Sequence, residues 1–177
     1  MGAETQGTFN EYRKLFMKDD KVVNNNGILI AGCGVGRGMN IMQRGWVAPK
    51  PRKNLTPDQL DTWMVKVFVP KMRNAFVSAG YDMKDLNEYA HYDNVFIIAV
   101  NGNIYIMDED YSIDRDARHY ITSGSGGDFA QGSLYNHGPE LFTDLEYAKN
   151  AMKMAIDAAK EFDSNSGGET RIYFQSN

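Results

Sequence analysis

Asp163-Ser164-Asn165-Ser166-Gly167-Gly168 is the stretch on which the reading of this chain turns. Before it, Leu145, Ala148, Met152, Ala155, Ile156 and Ala159 recur at three- and four-residue spacing, the pattern of an amphipathic helix. A helix ending near Asp163 leaves a carboxylate at its C-terminus, and a turn through paired glycines can return the Ser166 hydroxyl beside it. That pairing becomes chemistry only if other groups converge on it. The sequence offers three further stretches: Gly124-Ser125-Gly126-Gly127-Asp128-Phe129-Ala130, Ala31-Gly32 closing an apolar strand, and Arg13-Lys14-Leu15-Phe16 near the start.

With 177 residues, 42% hydrophobic and 12% aromatic, the chain has enough apolar material for one domain with a core, spanning 1–177. The net charge of −4, with 19 basic and 23 acidic residues intermixed, speaks against nucleic acid or an anionic membrane as partner, since both select a basic patch. Peptide or small ligands fit that balance better. The lone Cys33 excludes an internal disulfide, and no apolar run reaches the ~18–20 residues of a bilayer span. Residues 1–20 carry Glu4, Glu11, Asp19 and Asp20 and no apolar block, unlike a signal or transit peptide. A reducing, cytoplasmic setting is expected.

Leu15-Phe16-Met17 reads as a short strand, and Gly27-Ile28-Leu29-Ile30-Ala31-Gly32 as a buried one after the turn-like Asn24-Asn25-Asn26; the two are expected to pair. A helix is expected over 34–43, ended by Gly45 and the Pro49-Lys50-Pro51 loop. Thr56-Pro57-Asp58-Gln59 combines an N-cap, a first-turn proline and a reciprocal capping glutamine. Leu60, Met64, Val67, Met72 and Phe76 then give that helix an apolar face, with a kink expected at Pro70 and an end at Gly80. Two apolar runs, 95–100 and 103–108, flank Asn101-Gly102, the clearest hairpin signal in the chain. His119-Tyr120-Ile121-Thr122 reads as a strand leading through the glycine-rich turn into a helix over 128–135. Thr143 and Glu146 suggest a second capping box, and 171–175 a closing strand. Hairpins instead of regular strand–helix alternation imply an α+β fold with mainly antiparallel sheets and helices outside them.

In this order and spacing the motifs resemble the proteasome β-subunit family and its bacterial relative HslV, which are N-terminal-nucleophile hydrolases. The resemblance runs from about residue 3 to the end and implies a four-layer αββα sandwich, a threonine-type endopeptidase activity and no cofactor. In that family the hydroxyl of an N-terminal threonine attacks, and its own α-amine is the base. An unperturbed α-amine, with a pKa of ~7.7–8.0, is substantially neutral near working pH and can take the hydroxyl proton. Position by position, Glu4 of Ala3-Glu4-Thr5 matches the buried acidic partner, Lys14 before Leu15-Phe16 the active-site lysine, and Gly32 the oxyanion-hole glycine. Ser125 matches the serine of Gly-Ser-Gly, while Asp163 and Ser166 match the Asp-x-x-Ser-Gly-Gly pair that orients the amine. The family resemblance also implies peptide or unfolded-protein substrates, a homo-oligomeric ring and an ATP-dependent unfoldase as partner.

The sequence departs from the family at its start. Members begin with a nucleophile-bearing strand that returns through a tight turn to the acidic segment, whereas Met1-Gly2-Ala3-Glu4 opens at that segment. The expectation is therefore a domain lacking its first strand, inactive as it stands, with a natural start upstream of Met1; the alternative is a non-catalytic ring or scaffold subunit. Methionines and aromatics along 63–76 would suit a subunit contact as well as a core.

Each motif also has an ordinary structural reading: Lys14 as a solvated edge residue, Asp163 and Ser166 as helix-end residues, Gly32 and Ser125 as turn geometry. Gly32-Cys33-Gly34-Val35-Gly36-Arg37-Gly38 invites a dinucleotide-binding reading, but Arg37 and Met39 stand where that fingerprint needs its third glycine. Cys33 beside Arg37 could be a thiolate at a helix start, though a small buried cysteine is the commoner case. His91, His119 and His137 lack metal-ligand spacing. The aromatic run 81–92 is interspersed with acids and reads as a packed surface.

Overall fold

The computed structural model describes residues 1–9, 13–81, 93–138, 141 and 143–175. Most of the aromatic run 81–92, with His91, lies outside the described residues. The chain divides into two compact units, Met1–Val22 with Thr122–Phe174, and Val23–Ile121 with Gln175–Asn177.

Asn101 and Gly102, at φ 47° and 74°, close the expected hairpin at the centre of the second unit. It joins β6 (Asn94–Val100) to β7 (Asn103–Met107), with Val100 opposite Asn103. A similar positive-φ pair, Asn26-Gly27, connects β4 (Val22–Asn25) to β5 (Ile28–Gly34). With β8 (Ile113–Asp114) these make a five-stranded sheet in the order β4-β5-β6-β7-β8. Period-two alternation turns Ile28 and Ile30 of β5, Phe96, Ile98 and Val100 of β6, and Tyr105 and Met107 of β7 into one core.

Helical segments cover that core. α1 (Gly36–Asn40) continues into a π-helical turn, Ile41–Gly45. α2 (Pro57–Trp63) begins with the expected capping box, Thr56 and Gln59 each accepting from the other's backbone N–H. It runs through a π-helical turn, Met64–Phe68, into α3 (Val69–Ser78). The residues that this run buries are Leu60, Met64, Phe68, Met72 and Phe76, all four apart. In a pure α-helix, at about 100° per residue, each four-residue step drifts by about 40° and would carry the stripe off the core. The π turn has more residues per turn, rotates less, and takes the drift back. It also precedes Pro70, whose missing N–H and bulky ring disfavour regular α geometry just before it. The expected face is thereby corrected: Phe68 replaces Val67. Met64, Phe68, Met72 and Phe76 are fully buried, so the methionines and aromatics of 63–76 serve the core instead of a subunit contact.

In the first unit β1 (Gly2–Glu4) pairs antiparallel with β9 (Thr170–Ile172), and β2 (Gln6–Phe9) with β3 (Arg13–Phe16). The expected pairing of the Leu15 strand with the Ile28 strand is not formed. Local hairpins supply nearer partners for both, and Leu15 is 55% exposed. α4 (Gly127–Tyr135) packs along α5 (Leu145–Phe162), whose Ala151, Ala155 and Ala159 are buried. α5 is capped by Asp144, which accepts from the Tyr147 N–H, in place of the expected Thr143–Glu146 box. His119–Thr122 does not form a strand: His119 sits at φ 62° in a turn closed onto Asp116, and Arg118 pairs with Asp116 over the Tyr120 ring. No described helix is long and apolar enough to cross a membrane.

One buried side chain locks the end of β5 to the start of β6. Asn94 is 1% exposed; its Nδ2 donates to the carbonyls of Cys33 and Val35 at 2.9 Å, and its Oδ1 accepts from the Tyr81 hydroxyl at 2.7 Å. Asn94→Ala leaves three polar groups without that partner, and a loss of about 2–3 kcal/mol is expected. A lowered urea midpoint at unchanged slope is the measurement that checks it.

Candidate functional site

The turn before α4 and the loop after α5 meet on one carboxylate. Asp163 stands at the C-terminal end of α5 and its Oδ2 accepts two hydroxyls, Ser125 at 2.6 Å and Ser166 at 2.7 Å. Its Oδ1 accepts the Asn165 N–H at 3.2 Å, and its backbone carbonyl the Ser166 N–H at 3.1 Å. The approach depends on Gly126: a Cβ there would lie 2.6 Å from Ser166 Oγ and 2.8 Å from the Ala159 methyl. The glycine of Gly-Ser-Gly is thus required by packing against α5.

Burial pushes the Asp163 carboxyl upward, but the hydrogen bonds from Ser125, Ser166 and Asn165, with the Lys14 charge, outweigh it and hold the group below the ordinary carboxylate range. An ionised Asp163 fixes the direction of both hydroxyl protons, because a carboxylate only accepts. The lone pairs of each serine oxygen are then turned away from Oδ2. Two such acceptors beside a carboxylate form a receptor for a donor with several N–H bonds, such as an amine.

Lys14 lies on β3 opposite Thr8 and is exposed, in line with the edge-residue reading, while its charge acts on Asp163. Glu4, at the end of β1, keeps 15% of its side-chain surface exposed. Its Oε1 pairs with Lys21, a residue the sequence reading did not single out, and its Oε2 accepts the Gln6 N–H at 2.5 Å. The neighbours Thr5 and Gln6 are both buried against the loop that follows α5, and sequence reasoning missed them too. Polar residues at the junction of two short strands carry no periodic signal to mark them.

Gly32 belongs to the other unit, within β5 opposite Phe96 and before the strand's end at Gly34. A Cβ there would meet Met39 Sδ and the Phe96 ring at 2.7 Å, so close packing accounts for this glycine, not turn geometry. Cys33 is half-buried within the strand and its thiol faces the Val95 carbonyl at 3.8 Å. Arg37 donates to the Ala79 carbonyl.

The depressed pKa of Asp163 has a signed consequence. Its contribution to stability is fully present above the unfolded-state value, ~3.9, and is lost as pH falls through the lower folded value. Ser125→Ala removes one donor and is expected to raise the Asp163 titration, so acid unfolding begins at higher pH than in the parent. Thermal unfolding across pH 2–6 checks this; identical profiles would contradict it.

Among solved structures, Thiobacillus denitrificans BPH aligns with a TM-score of 0.69 at 16% identity, covering 96% of this chain and 88% of that one. Thiobacillus denitrificans BPH in complex with Epoxomicin gives 0.65 at 15% identity, with the same 96% and 88% coverage. Eukaryotic HslV from Trypanosoma brucei gives 0.58 at 16% identity, again over 96% and 88%. No family model matches the sequence, and no curated protein matches it. At such identities the likeness is one of fold, and the chain has the mixed helical and antiparallel-sheet fold of HslV- and proteasome-type subunits.

Proposed function

We propose that this chain is a proteasome-like peptidase subunit whose site is suited to peptide-bond hydrolysis by an N-terminal hydroxyl nucleophile, a group that Met1-Gly2-Ala3-Glu4 does not itself supply. The observation that carries the reading is the convergence of Ser125 and Ser166 on one oxygen of Asp163. It makes an acceptor pair suited to the α-amine of an N-terminal residue. That amine takes the proton of the attacking hydroxyl, the oxygen adds to the scissile carbonyl, and the collapsing intermediate releases the amine product, protonated by the same base. Water then hydrolyses the acyl ester. Glu4 and the Lys14 charge tune the electrostatics beneath the amine. Gly32 matches the family's oxyanion-hole glycine by motif alone, and an oxyanion donor is worth about 2.7–4 kcal/mol.

Peptides or unfolded proteins are the proposed substrates, a homo-oligomeric ring the proposed assembly, and an ATP-dependent unfoldase the proposed partner. A non-catalytic ring or scaffold subunit is the second reading, favoured by exposed apolar side chains on and beside α4 and α5. Phe129 and Phe162, 44% and 69% exposed, lie with tilted rings 5.7 Å apart between centroids, with Tyr135 and Leu145 also open to solvent. Light scattering tests the ring: a mass that is a multiple of 19.9 kDa is expected, and a monomer would contradict it.

Met1, Gly2, Ala3 and Glu4 carry no hydroxyl. The activity test therefore compares this chain with a version lengthened upstream so that a threonine becomes its first residue. Fluorogenic-peptide cleavage is expected only from the lengthened protein, and it should be blocked by epoxomicin. Lys14→Ala and Asp163→Ala are each expected to lower it by at least about 100-fold, the scale of a lost acid–base contribution. Undiminished cleavage in both variants would refute the assignment; no cleavage from a folded, lengthened ring would favour the scaffold.

A further inference from the structure

We infer that the Gln6 side chain is a positioning clamp that holds the loop after α5 in the geometry placing the Ser166 hydroxyl, together with that of Ser125, on Asp163. The inference deepens the peptidase reading and rests on it for its catalytic consequence, whereas the contact itself can be tested without turnover.

Gln6 is 2% exposed, and a buried amide is tolerated only when its hydrogen bonds are made. Its Nε2 donates to the Ser164 carbonyl at 3.2 Å, and its backbone N–H donates to the Gly167 carbonyl at 3.0 Å. These two attachments bracket Ser166. A third follows one step further on, where Thr5 Oγ1 accepts the Glu169 N–H at 3.0 Å. The Gln6 N–H is shared with Glu4 Oε2, so the acidic residue of β1 and the loop after α5 are joined through one residue. The fit is close: a Cβ on Gly167 would overlap Gln6 Oε1. Gly167 is therefore glycine because the Gln6 amide lies over it, a reason distinct from the helix-ending role that the sequence suggests.

The rigidity this supplies is specific. Ser166 meets Asp163 across only three positions of a turn, and Gln6 holds the Ser164 carbonyl of that turn from outside it. With the clamp gone, the loop relaxes toward solvent, and the donors Ser166 Oγ and Asn165 N–H drift from the carboxylate. Lys14, whose charge also acts on Asp163, is itself unaltered in variants that remove the clamp.

Carbon-detected NMR titration of the Asp163 carboxyl in the folded chain tests the clamp. Gln6→Met keeps the volume and removes the amide; Gly167→Ala leaves Gln6 intact and drives its amide aside, so the reading does not hinge on one variant folding. In both, Asp163 is expected to titrate at higher pH than in the parent. The double variant Gln6→Ala with Gly167→Ala, in which the new methyl fills the vacated space, is expected to match Gly167→Ala alone and not the sum of the single changes. Ala155→Gly in α5 is the control: it lowers Tm and is expected to leave the Asp163 titration where it was. A parent-like Asp163 curve in folded Gln6→Met and Gly167→Ala, or an equal shift in the control, would overturn the clamp. A failed peptidase assay with the titration shifts present would remove the catalytic consequence and leave the clamp standing.

Discussion

A single carboxylate oxygen, Asp163 Oδ2, ties the segment leading into α4 to the segment leaving α5 by accepting both Ser125 and Ser166. Charge-assisted hydrogen bonds of this kind are roughly twice as strong as neutral ones, and they are directional. The ionised state of the acceptor dictates where the two hydroxyl protons lie, and so that the serine lone pairs turn away from Oδ2. Three neighbouring features support that arrangement. Gly126 gives up a side chain so that the turn can reach Ala159, Gly167 gives up its own for the Gln6 amide, and Thr5 holds the loop beyond.

The other unit is organised by a different constraint, the need to keep one apolar stripe, from Leu60 to Phe76, on one sheet. Leu60, Met64, Phe68, Met72 and Phe76 bury completely against β5, β6 and β7, each large side chain contributing about 1.5–3 kcal/mol of burial. Four-residue spacing is out of step with an α-helix, and the π turn at Met64–Phe68 restores the phase. Local helix geometry has yielded here to the core.

What the sequence made legible follows from how local each signal is. The Asn101-Gly102 hairpin and the Thr56–Gln59 capping box are written in adjacent residues, and both form where expected. Strand pairing between the Leu15 and Ile28 segments was a tertiary inference, and local hairpins displaced it. A 3.6-residue period places Val67 on the apolar face, but the π turn at Met64–Phe68 breaks that period and buries Phe68 instead. The His119–Thr122 run has the composition of a strand, yet the Asp116–Arg118 pair folds it into a turn. At the site, Ser125, Asp163 and Ser166 were legible as motifs in sequence order, and the structure brings these three together. Lys21 and Gln6 were not, since a buried polar residue is recognisable only from the partners it finds, and those lie 17 and 158 positions away.

Neutron diffraction from crystals grown near neutral pH tests the central claim most directly, because it locates protons. The account requires an unprotonated Asp163 carboxylate with the hydroxyl deuterons of Ser125 and Ser166 both directed at Oδ2. A deuteron resident on Asp163, or a Ser125 hydroxyl turned away from it, would contradict the account.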